Sequence, residues 1–369
     1  MESKLNDKDE FISRYTELFS GNTAALQKLN EFHANYKSEK VFEWYTENTF
    51  IYRQLNKALR PQNIDLLFIY RFFLQDMQKQ LALHQEQFPV EVYRSQRMSK
   101  EEWNQLSKAT GQCISMNSFV STSLERNVAK FYITEANHDD NEIGIIFHIK
   151  ANPCFSGDLI QPFANIVCFS EFPDEKEIVF MAGSIFRIIK IIDENPFPIV
   201  EMELFSKEEN DLKMLFESLR REFGGLPGGE LKKTSIHSLG NFASRMIKFD
   251  VADRFFRRSY YESSKDDPNP ADYCQNIGMA ALHTGRYEES VRWLDQALKL
   301  YESRGLVDDP RVASLYIAQG ILNTKKKKRK QALDSYNKAL KIYQTSSGEH
   351  DSDIAVCYHN MANLFERRK

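Results

Sequence analysis

The C-terminal part of the chain repeats itself at a fixed interval. Gly278, Gly320 and Ala362 recur every 42 residues, and Ala297-Leu298 returns as Ala339-Leu340 with the same spacing. A period of roughly 20 to 50 residues is typical of stacked repeats, in which one unit is too small to bury its own apolar face and must pack on its neighbours. This part of the chain is therefore predicted to fold as a helical array and not around a single closed core.

The repeated residues place small and large side chains at constant offsets. If Gly278 is the small residue of a first helix, Leu294 and Ala297 stand where a second helix needs one large and one small side chain. The residues at corresponding offsets are Ala332, Tyr336 and Ala339 after Gly320, and Ala252, Phe256 and Ser259 after Gly240. Small residues let paired helices approach closely, while aromatic residues fill the space between them. The unit resembles a tetratricopeptide repeat, and its long period resembles the form found in kinesin light chains.

We predict that residues 234–369 form an all-α tetratricopeptide array that binds a peptide or protein partner. It contains a degenerate repeat at about 235–264, two full repeats and a final half repeat, which either caps the array or is continued in a longer natural chain. The basic run from Lys325 to Lys330 aligns with a turn between two helices. We interpret it as a solvated turn, with a nuclear-import signal or a patch for an acidic partner as alternatives.

The preceding residues have a different pattern. Residues 9–87 carry apolar side chains at helical spacing, as in the stripe from Leu66 to Leu83. From Val90 onward, short β-branched and aromatic runs are separated by turn residues, which is typical of strands. The predicted strands are 90–93, 143–149, 166–169, 178–181, 186–192 and 199–204. The first domain, residues 1–205, is therefore predicted to be α+β, with helices ahead of a sheet.

A glycine-rich stretch separates these two parts. Four glycines occur within the six residues from Gly224 to Gly229, and such a stretch favours neither helix nor strand. A charged helical pattern precedes it at 206–222. We predict a helix and an interdomain linker over residues 206–233, with an internal loop as the alternative.

Composition limits the classes of partner and cellular location. A net charge of −3 gives no reason to expect a nucleic acid or an anionic membrane as partner. The first residues lack the apolar core of a signal peptide, and no window approaches the roughly 18 apolar residues of a membrane helix. The five cysteines include no C-x-x-C pair, and the eight histidines form no H-E-x-x-H motif, so neither disulfides nor a metal site is indicated. We expect a cytoplasmic protein.

Three short elements in the first domain indicate its chemistry. They are Val92-Tyr93-Arg94, the hydroxyl run Ser121-Thr122-Ser123, and Glu175-Lys176-Glu177 with Phe172 three residues ahead of it. In this order, and at strand-like segments, they resemble the R-S-E signature of the mono-ADP-ribosyltransferases. The resemblance extends over roughly residues 40–203, a span that suits one domain. It includes Trp44-Tyr45-Thr46 and the segment Tyr52 to Arg60, which are similar to the N-terminal helix of that family.

The resemblance implies a mixed-sheet core and an enzyme that moves ADP-ribose from NAD to arginine side chains of acceptor proteins, without a metal. Loss of nicotinamide passes through an oxocarbenium-like cation, which a pre-positioned carboxylate stabilises. By resemblance Glu177 is that carboxylate, Arg94 binds the pyrophosphate with its planar guanidinium, and Ser121 binds the ribose and positions Glu177. Thr122 and Ser123 brace the strand end, although Ser123 is also placed to cap the next helix.

The remaining candidates concern the acceptor and the nicotinamide. Glu175 lies two residues before Glu177, so on an extended strand both carboxylates point to the same side, and by resemblance Glu175 selects an arginine acceptor. Phe172 either faces the acceptor or fills the core. Ser95 replaces a glycine that often follows the family's arginine and holds the nicotinamide carboxamide. Phe131 or Tyr132 either stacks on nicotinamide or packs in the core. An NAD glycohydrolase and a catalytically dead scaffold are the alternative functions.

Overall fold

The computed structural model describes residues 7–47, 50–60, 63–135, 141–153, 161–205, 236–264, 267, 269–346 and 350–366. Contacts divide the chain into two compact units, Met1–Phe216 and Glu217–Lys369, and each is described by itself. The glycine-rich stretch and the helix predicted before it lie outside the described residues. The linker at 206–233 therefore stays a prediction.

The first unit begins with helices that share an aromatic core. Phe11, Phe32, Phe42 and Phe73 are all fully buried in one cluster, as expected for amphipathic helices that turn their apolar faces toward each other. Asn22 and similar caps satisfy free backbone N–H groups at helix starts. These helices are α1 (Asp7–Leu18), α2 (Thr23–Asn35), α3 (Val41–Thr46), α4 (Phe50–Leu59), α5 (Ile64–Ile69) and α6 (Arg71–Leu83), while α7 (Lys100–Leu106) and α8 (Arg126–Glu135) follow later, between strands of the sheet.

An eight-stranded mixed sheet follows. Its strands are β1 (Val90–Ser99), β2 (Cys113–Met116), β3 (Val120–Ser123), β4 (Glu142–Ala151), β5 (Phe163–Asn165), β6 (Glu177–Phe180), β7 (Ser184–Ile192) and β8 (Ile199–Leu204). The spatial order is β2-β7-β8-β4-β1-β3-β6-β5, with only β4 and β8 parallel. The predicted α+β class is confirmed. The strand predicted at 166–169 is wrong, because β5 lies at 163–165 and a turn follows it.

Strand β6 shows how the sheet separates two cores. Val179 packs with the aromatic residues of the N-terminal helices, while Ile178 and Phe180 belong to a second cluster with residues of β4 and β7. Successive side chains of a strand point to opposite faces, so the sheet is covered on both sides near this strand. The neighbouring strands β1, β3 and β6 are thereby held on a rigid support.

The second unit is a series of helix pairs. The helices are α9 (Ile236–Arg245), α10 (Phe249–Glu262), α11 (Pro270–His283), α12 (Tyr287–Ser303), α13 (Pro310–Lys325), α14 (Arg329–Thr345) and α15 (Asp351–Glu366). The predicted helical array is confirmed, including its final single helix. Within each pair, the predicted contacts form: a Cβ placed on Gly240 would lie 2.5 Å from the ring of Phe256, and one on Gly320 would lie 2.4 Å from Tyr336.

The basic run lies at an interhelical turn, as predicted. Helix α13 ends at Lys325 and α14 begins at Arg329. Lys327 has a φ of 61°, and Gly285, which precedes it by one 42-residue period, has a φ of 78°. Lys327 thus occupies a left-handed position that glycine adopts without strain in the previous repeat.

Gly320→Ala should destabilise the repeat unit by about 1 to 3 kcal/mol, because the added methyl group overlaps the buried ring of Tyr336 and the two helices must separate. Thermal unfolding followed by circular dichroism measures the change. Lys330→Ala, at an exposed position of α14, is the control. An equal melting temperature for wild type and Gly320→Ala would contradict the close helix contact.

Candidate active site

A cavity of about 400 Å³ opens in the first unit beside the neighbouring strands β1, β3 and β6. It brings together all of the site residues predicted from the sequence except Phe131. Phe131 is 59% exposed and does not line the cavity. The lining residues are Tyr45, Thr46, Tyr93, Arg94, Ser95, Ser121, Thr122, Ser123, Val128, Ala129, Tyr132, Phe172, Glu175 and Glu177.

Glu177, the first residue of β6, is the most deeply buried carboxylate of the cavity. Its side chain is 6% exposed. Burial raises the pKa of Glu177 to about 7, and the nearby negative charge of Glu175 acts in the same direction. A hydrogen bond to the Ser121 side chain and the positive charge of Arg94 lower this pKa but do not offset burial. The carboxylate is therefore held in a partly desolvated position, where a charge acts strongly on its neighbours.

Arg94 projects from the middle of β1. Its Nη1 donates a hydrogen bond to the backbone oxygen of Ser121 on the adjacent strand β3, at 2.7 Å. Tyr93 pairs with Ser123 between these two strands, and Ser123 pairs with Glu177 between β3 and β6. The Arg94 guanidinium and the buried Glu177 carboxylate are thus fixed by three strands that lie side by side in the sheet.

Thr122 and Ser123 connect β3 to the segment that carries the carboxylates. The hydroxyl of Thr122 donates to the backbone oxygen of Ile178 at 2.7 Å, and that of Ser123 donates to the backbone oxygen of Glu175 at 2.6 Å. Ser123 also accepts a hydrogen bond from the backbone N–H of Glu125 at 2.9 Å, just ahead of α8. Ser123 therefore contacts both the carboxylate segment and the residue just ahead of the helix, and a cap of α8 by this side chain stays a prediction.

The prediction that both carboxylates extend from one strand is wrong. Glu175 ends a short 3₁₀ turn, Pro173–Glu175, and β6 begins only at Glu177. Lys176 between them has a φ of 47°, in the left-handed region. This residue separates the 3₁₀ turn from the strand, and both carboxylates still line the same cavity. The Nζ of Lys176 pairs with the Glu125 carboxylate at 2.7 Å.

Two aromatic side chains stand beside Glu175. Tyr132 is 53% exposed and Phe172 is 52% exposed, so the alternative that either fills the core is wrong. The hydroxyl of Tyr132 donates a hydrogen bond to Oε1 of Glu175. The outer part of the cavity therefore combines a carboxylate with two accessible aromatic rings.

The site also contains residues that sequence reasoning missed. Tyr45 and Thr46, at the end of α3, line the cavity together with Val128 and Ala129 of α8. The hydroxyl of Thr46 accepts a hydrogen bond from the backbone N–H of Glu171 at 3.2 Å, so α3 holds the loop that presents Phe172. The Trp44-Tyr45-Thr46 segment carried a signal through its resemblance to the family's N-terminal helix, but nothing in its pattern predicted a contact with a loop so distant in sequence.

Within the ranges given above, no three His, Cys, Asp or Glu side chains form a group suited to holding a metal ion. Among the helices described, none is long and apolar enough to cross a membrane.

Solved structures to which this chain shows similarity include several ADP-ribosyltransferases. The Vis toxin from Vibrio splendidus is 17% identical, with 56% of this chain and 88% of that chain covered and a TM-score of 0.37. HopU1 of Pseudomonas syringae pv. Tomato is also 17% identical, with 56% and 99% covered and a TM-score of 0.37. An ADP-ribosyltransferase from Clostridium botulinum is 13% identical, with 52% and 95% covered and a TM-score of 0.35.

Sequence comparisons identify both units. Kinesin light chain-related 3 of Arabidopsis thaliana is 27% identical over 140 residues, which cover 35% of this chain and 22% of that protein. The chain thus spans about a fifth of the length of this curated relative. Residues 271–345 match the tetratricopeptide repeat model. Residues 27–215, half of the chain, match the model of the ADP-ribosyltransferase exoenzyme family, and the chain therefore belongs to that family.

Proposed function

We propose that the protein transfers ADP-ribose from NAD to arginine side chains of acceptor proteins and releases nicotinamide. The proposal depends above all on the two carboxylates, Glu175 and Glu177, that line one cavity in different environments. One is buried and the other is half-buried at the edge. The transferase family to which the chain belongs uses NAD as its substrate. The two environments suit two different roles in such a reaction, one toward the sugar of NAD and one toward the acceptor.

In this proposal Glu177 acts on the sugar. The departing nicotinamide leaves a positive charge on the ribosyl carbon, and a fixed carboxylate nearby lowers the energy of that cation. The hydrogen bond between Ser121 and Glu177 orients the carboxylate in advance. Arg94 binds the pyrophosphate, since its planar guanidinium is held by the backbone of β3 and need not be ordered on binding.

Glu175 acts on the acceptor. It lies at the more exposed side of the cavity, where the side chain of an incoming arginine has access. Its negative charge attracts the guanidinium and orients it toward the ribosyl carbon. Phe172 flanks the same region, and its exposed ring suits contact with a planar cation. Ser95 lines the wall on which the nicotinamide is proposed to rest.

The alternatives differ in what becomes of the ADP-ribose. An NAD glycohydrolase would transfer it to water and would not require Glu175 and Phe172 at the rim. A catalytically dead scaffold would not require Arg94, Ser121 and Glu177 to face one cavity. Incubation with labelled NAD and agmatine tests all three, because the fraction of released nicotinamide that is matched by ADP-ribosylagmatine separates transfer, hydrolysis and inactivity.

Glu177→Gln should lower both transfer and hydrolysis by at least ~10²-fold, because the amide keeps the size of the side chain but removes the charge that faces the ribosyl cation. Nicotinamide release measures the effect, and NAD binding by calorimetry shows that the cavity is intact. Asp174→Asn, at an exposed carboxylate outside the cavity, serves as control. Unchanged nicotinamide release in Glu177→Gln would assign the chemistry to another group.

Glu175→Gln should lower the ratio of ADP-ribosylagmatine to free ADP-ribose, since the guanidinium loses its anionic partner while Glu177 keeps its charge. The two products are separated by chromatography at equal nicotinamide release. The same Asp174→Asn variant shows whether any loss of charge from this turn has the effect. A parallel fall of both products would mean that Glu175 acts in the cleavage of NAD itself.

The repeats are proposed to recruit a partner or substrate through a groove in the second unit. Two adjoining cavities, of about 730 and 410 Å³, both include His283 in their lining. Arg245, His283 and Lys325 line the groove, and each lies in the last turn of the first helix of a pair. Among the described residues that line the two cavities, none is Asp or Glu. Charge complementarity therefore favours an extended, acidic segment.

The charge of the groove at neutral pH comes from two of these residues. Burial lowers the pKa of His283, and the positive charge of Lys325 lowers it further, so this imidazole stays neutral. Its ring stacks on Phe249, with centroids 4.1 Å apart. Arg245 and Lys325 thus supply the cationic contacts, while His283 contributes a flat surface between them.

Arg245→Glu combined with Lys325→Glu should weaken binding of a fluorescein-labelled peptide of alternating Glu and Ser by ~10-fold or more, because two attractive contacts become repulsive. Fluorescence anisotropy at low and high salt measures the affinity. Lys338→Glu combined with Lys341→Glu, at two exposed positions of α14 outside the two cavities, makes the same change of net charge and is the control. Equal binding of a Lys-containing analogue by the wild type would contradict the proposed acidic partner.

A further inference from the structure

The hydrogen bond between Tyr132 and Glu175 joins two elements that are 43 residues apart in sequence. Tyr132 lies on α8, and Glu175 ends the turn that precedes β6. The ring of Tyr132 lines the cavity, as do Val128 and Ala129 one turn earlier on the same helix. One side chain therefore contacts both the interior of the cavity and the carboxylate at its rim.

The backbone around this contact is braced from both sides. Ser123 donates a hydrogen bond to the backbone oxygen of Glu175 at 2.6 Å. Lys176 pairs with Glu125, next to the start of α8, at 2.7 Å. Arg126 pairs with Glu194 at 2.5 Å and ties the first residue of α8 to the segment between β7 and β8. Helix α8 and the turn Pro173–Glu175 are thus held at a fixed separation, which the side chain of Tyr132 spans.

We propose that Tyr132 is a specificity-determining residue of the acceptor site, which fixes the Glu175 carboxylate for a planar guanidinium. This inference rests on the proposed transfer to arginine. A half-buried glutamate samples several rotamers, and ordering its side chain costs conformational entropy. The hydroxyl of Tyr132 selects one orientation before the acceptor arrives, so that less ordering is left for the binding step.

The geometry of a carboxylate allows Tyr132 and an acceptor to bind together. Two carboxylate oxygens offer about four acceptor positions, and Tyr132 uses one of them, on Oε1. Oε2 and the second lone pair of Oε1 remain for the two parallel N–H groups of a guanidinium. An ammonium group, as in lysine, presents a point charge and gains less from a fixed, bidentate partner.

The rings of Tyr132 and Phe172 add to this selection. Both are about half exposed and line the cavity that Glu175 borders. A guanidinium that lies on an aromatic face is attracted by the negative face of the ring. The carboxylate fixes the in-plane direction of the guanidinium, and the rings favour its flat faces. Tyr132 contributes to both effects, the first through its hydroxyl and the second through its ring.

Tyr132→Phe tests the hydroxyl alone, because it keeps the ring and removes one oxygen at a half-exposed position. The KM for agmatine should rise ~10-fold, in keeping with the loss of a hydrogen bond to a charged group. The ratio of ADP-ribosylagmatine to free ADP-ribose at low agmatine should fall by the same factor. Tyr261→Phe, the same change at an exposed tyrosine of the second unit, should alter neither quantity.

A double-mutant cycle with Glu175→Gln separates positioning from an independent contribution. If Tyr132 acts through Glu175, Tyr132→Phe should change the KM for agmatine less than about twofold once Glu175 is Gln. If the two increases in KM multiply in the double variant, or if Tyr132→Phe keeps the wild-type KM, the role of Tyr132 is overturned while the proposed transfer to arginine stands. A wild-type protein that releases nicotinamide without forming ADP-ribosylagmatine would overturn the proposed transfer to arginine, and the inference with it.

Discussion

The backbone pairing of β3 with its two neighbours is the interaction on which the site depends. β3 has only four residues, Val120–Ser123, yet it receives the Arg94 guanidinium from β1 and places Ser121 against Glu177 of β6. The hydrogen bonds of the sheet and of these side chains act along the same short strand. Because successive side chains of a strand point to opposite faces, a one-residue shift in the pairing of β3 would move every hydroxyl to the opposite face of the sheet. The register of β3 therefore determines both the fold of the sheet and the composition of the cavity.

The two units bury their apolar side chains in different ways. In the first unit, a sheet covered on both faces buries Val179 on one side and Phe180 on the other, so each strand serves two cores. In the second unit, helix pairs approach closely at a small residue, such as Gly278 against Leu294, and neighbouring pairs bury further apolar surface together. A rigid closed core suits a site that must hold charges in place, whereas a repeated open surface suits contact with an extended chain.

Sequence reasoning succeeded where a residue's role is local or periodic. The contacts of Gly240 and Gly320 follow from constant offsets, and Arg94, Ser121 and Glu177, which the family resemblance placed at strand-like segments, lie in β1, β3 and β6. It failed at Lys176, because lysine rarely adopts a positive φ and its residue type gives no warning of one. It also missed Thr46, since its hydrogen bond to Glu171 spans 125 residues and depends on how the whole helical layer packs on the sheet.

The burial of Glu177 links proton binding to the stability of the whole first unit. Its pKa rises from 4.5 to about 7 on folding, so the folded chain holds the proton more tightly than the unfolded chain. This group consequently favours folding most at acidic pH, and its contribution is lost as pH increases from 4.5 to about 7, by on the order of 3 kcal/mol in total. Above that range the native sheet carries an ionised carboxylate in a poorly solvated position. A cationic group beside Glu177 offsets this cost, so above neutral pH the sheet is more stable with such a group in the cavity than without one.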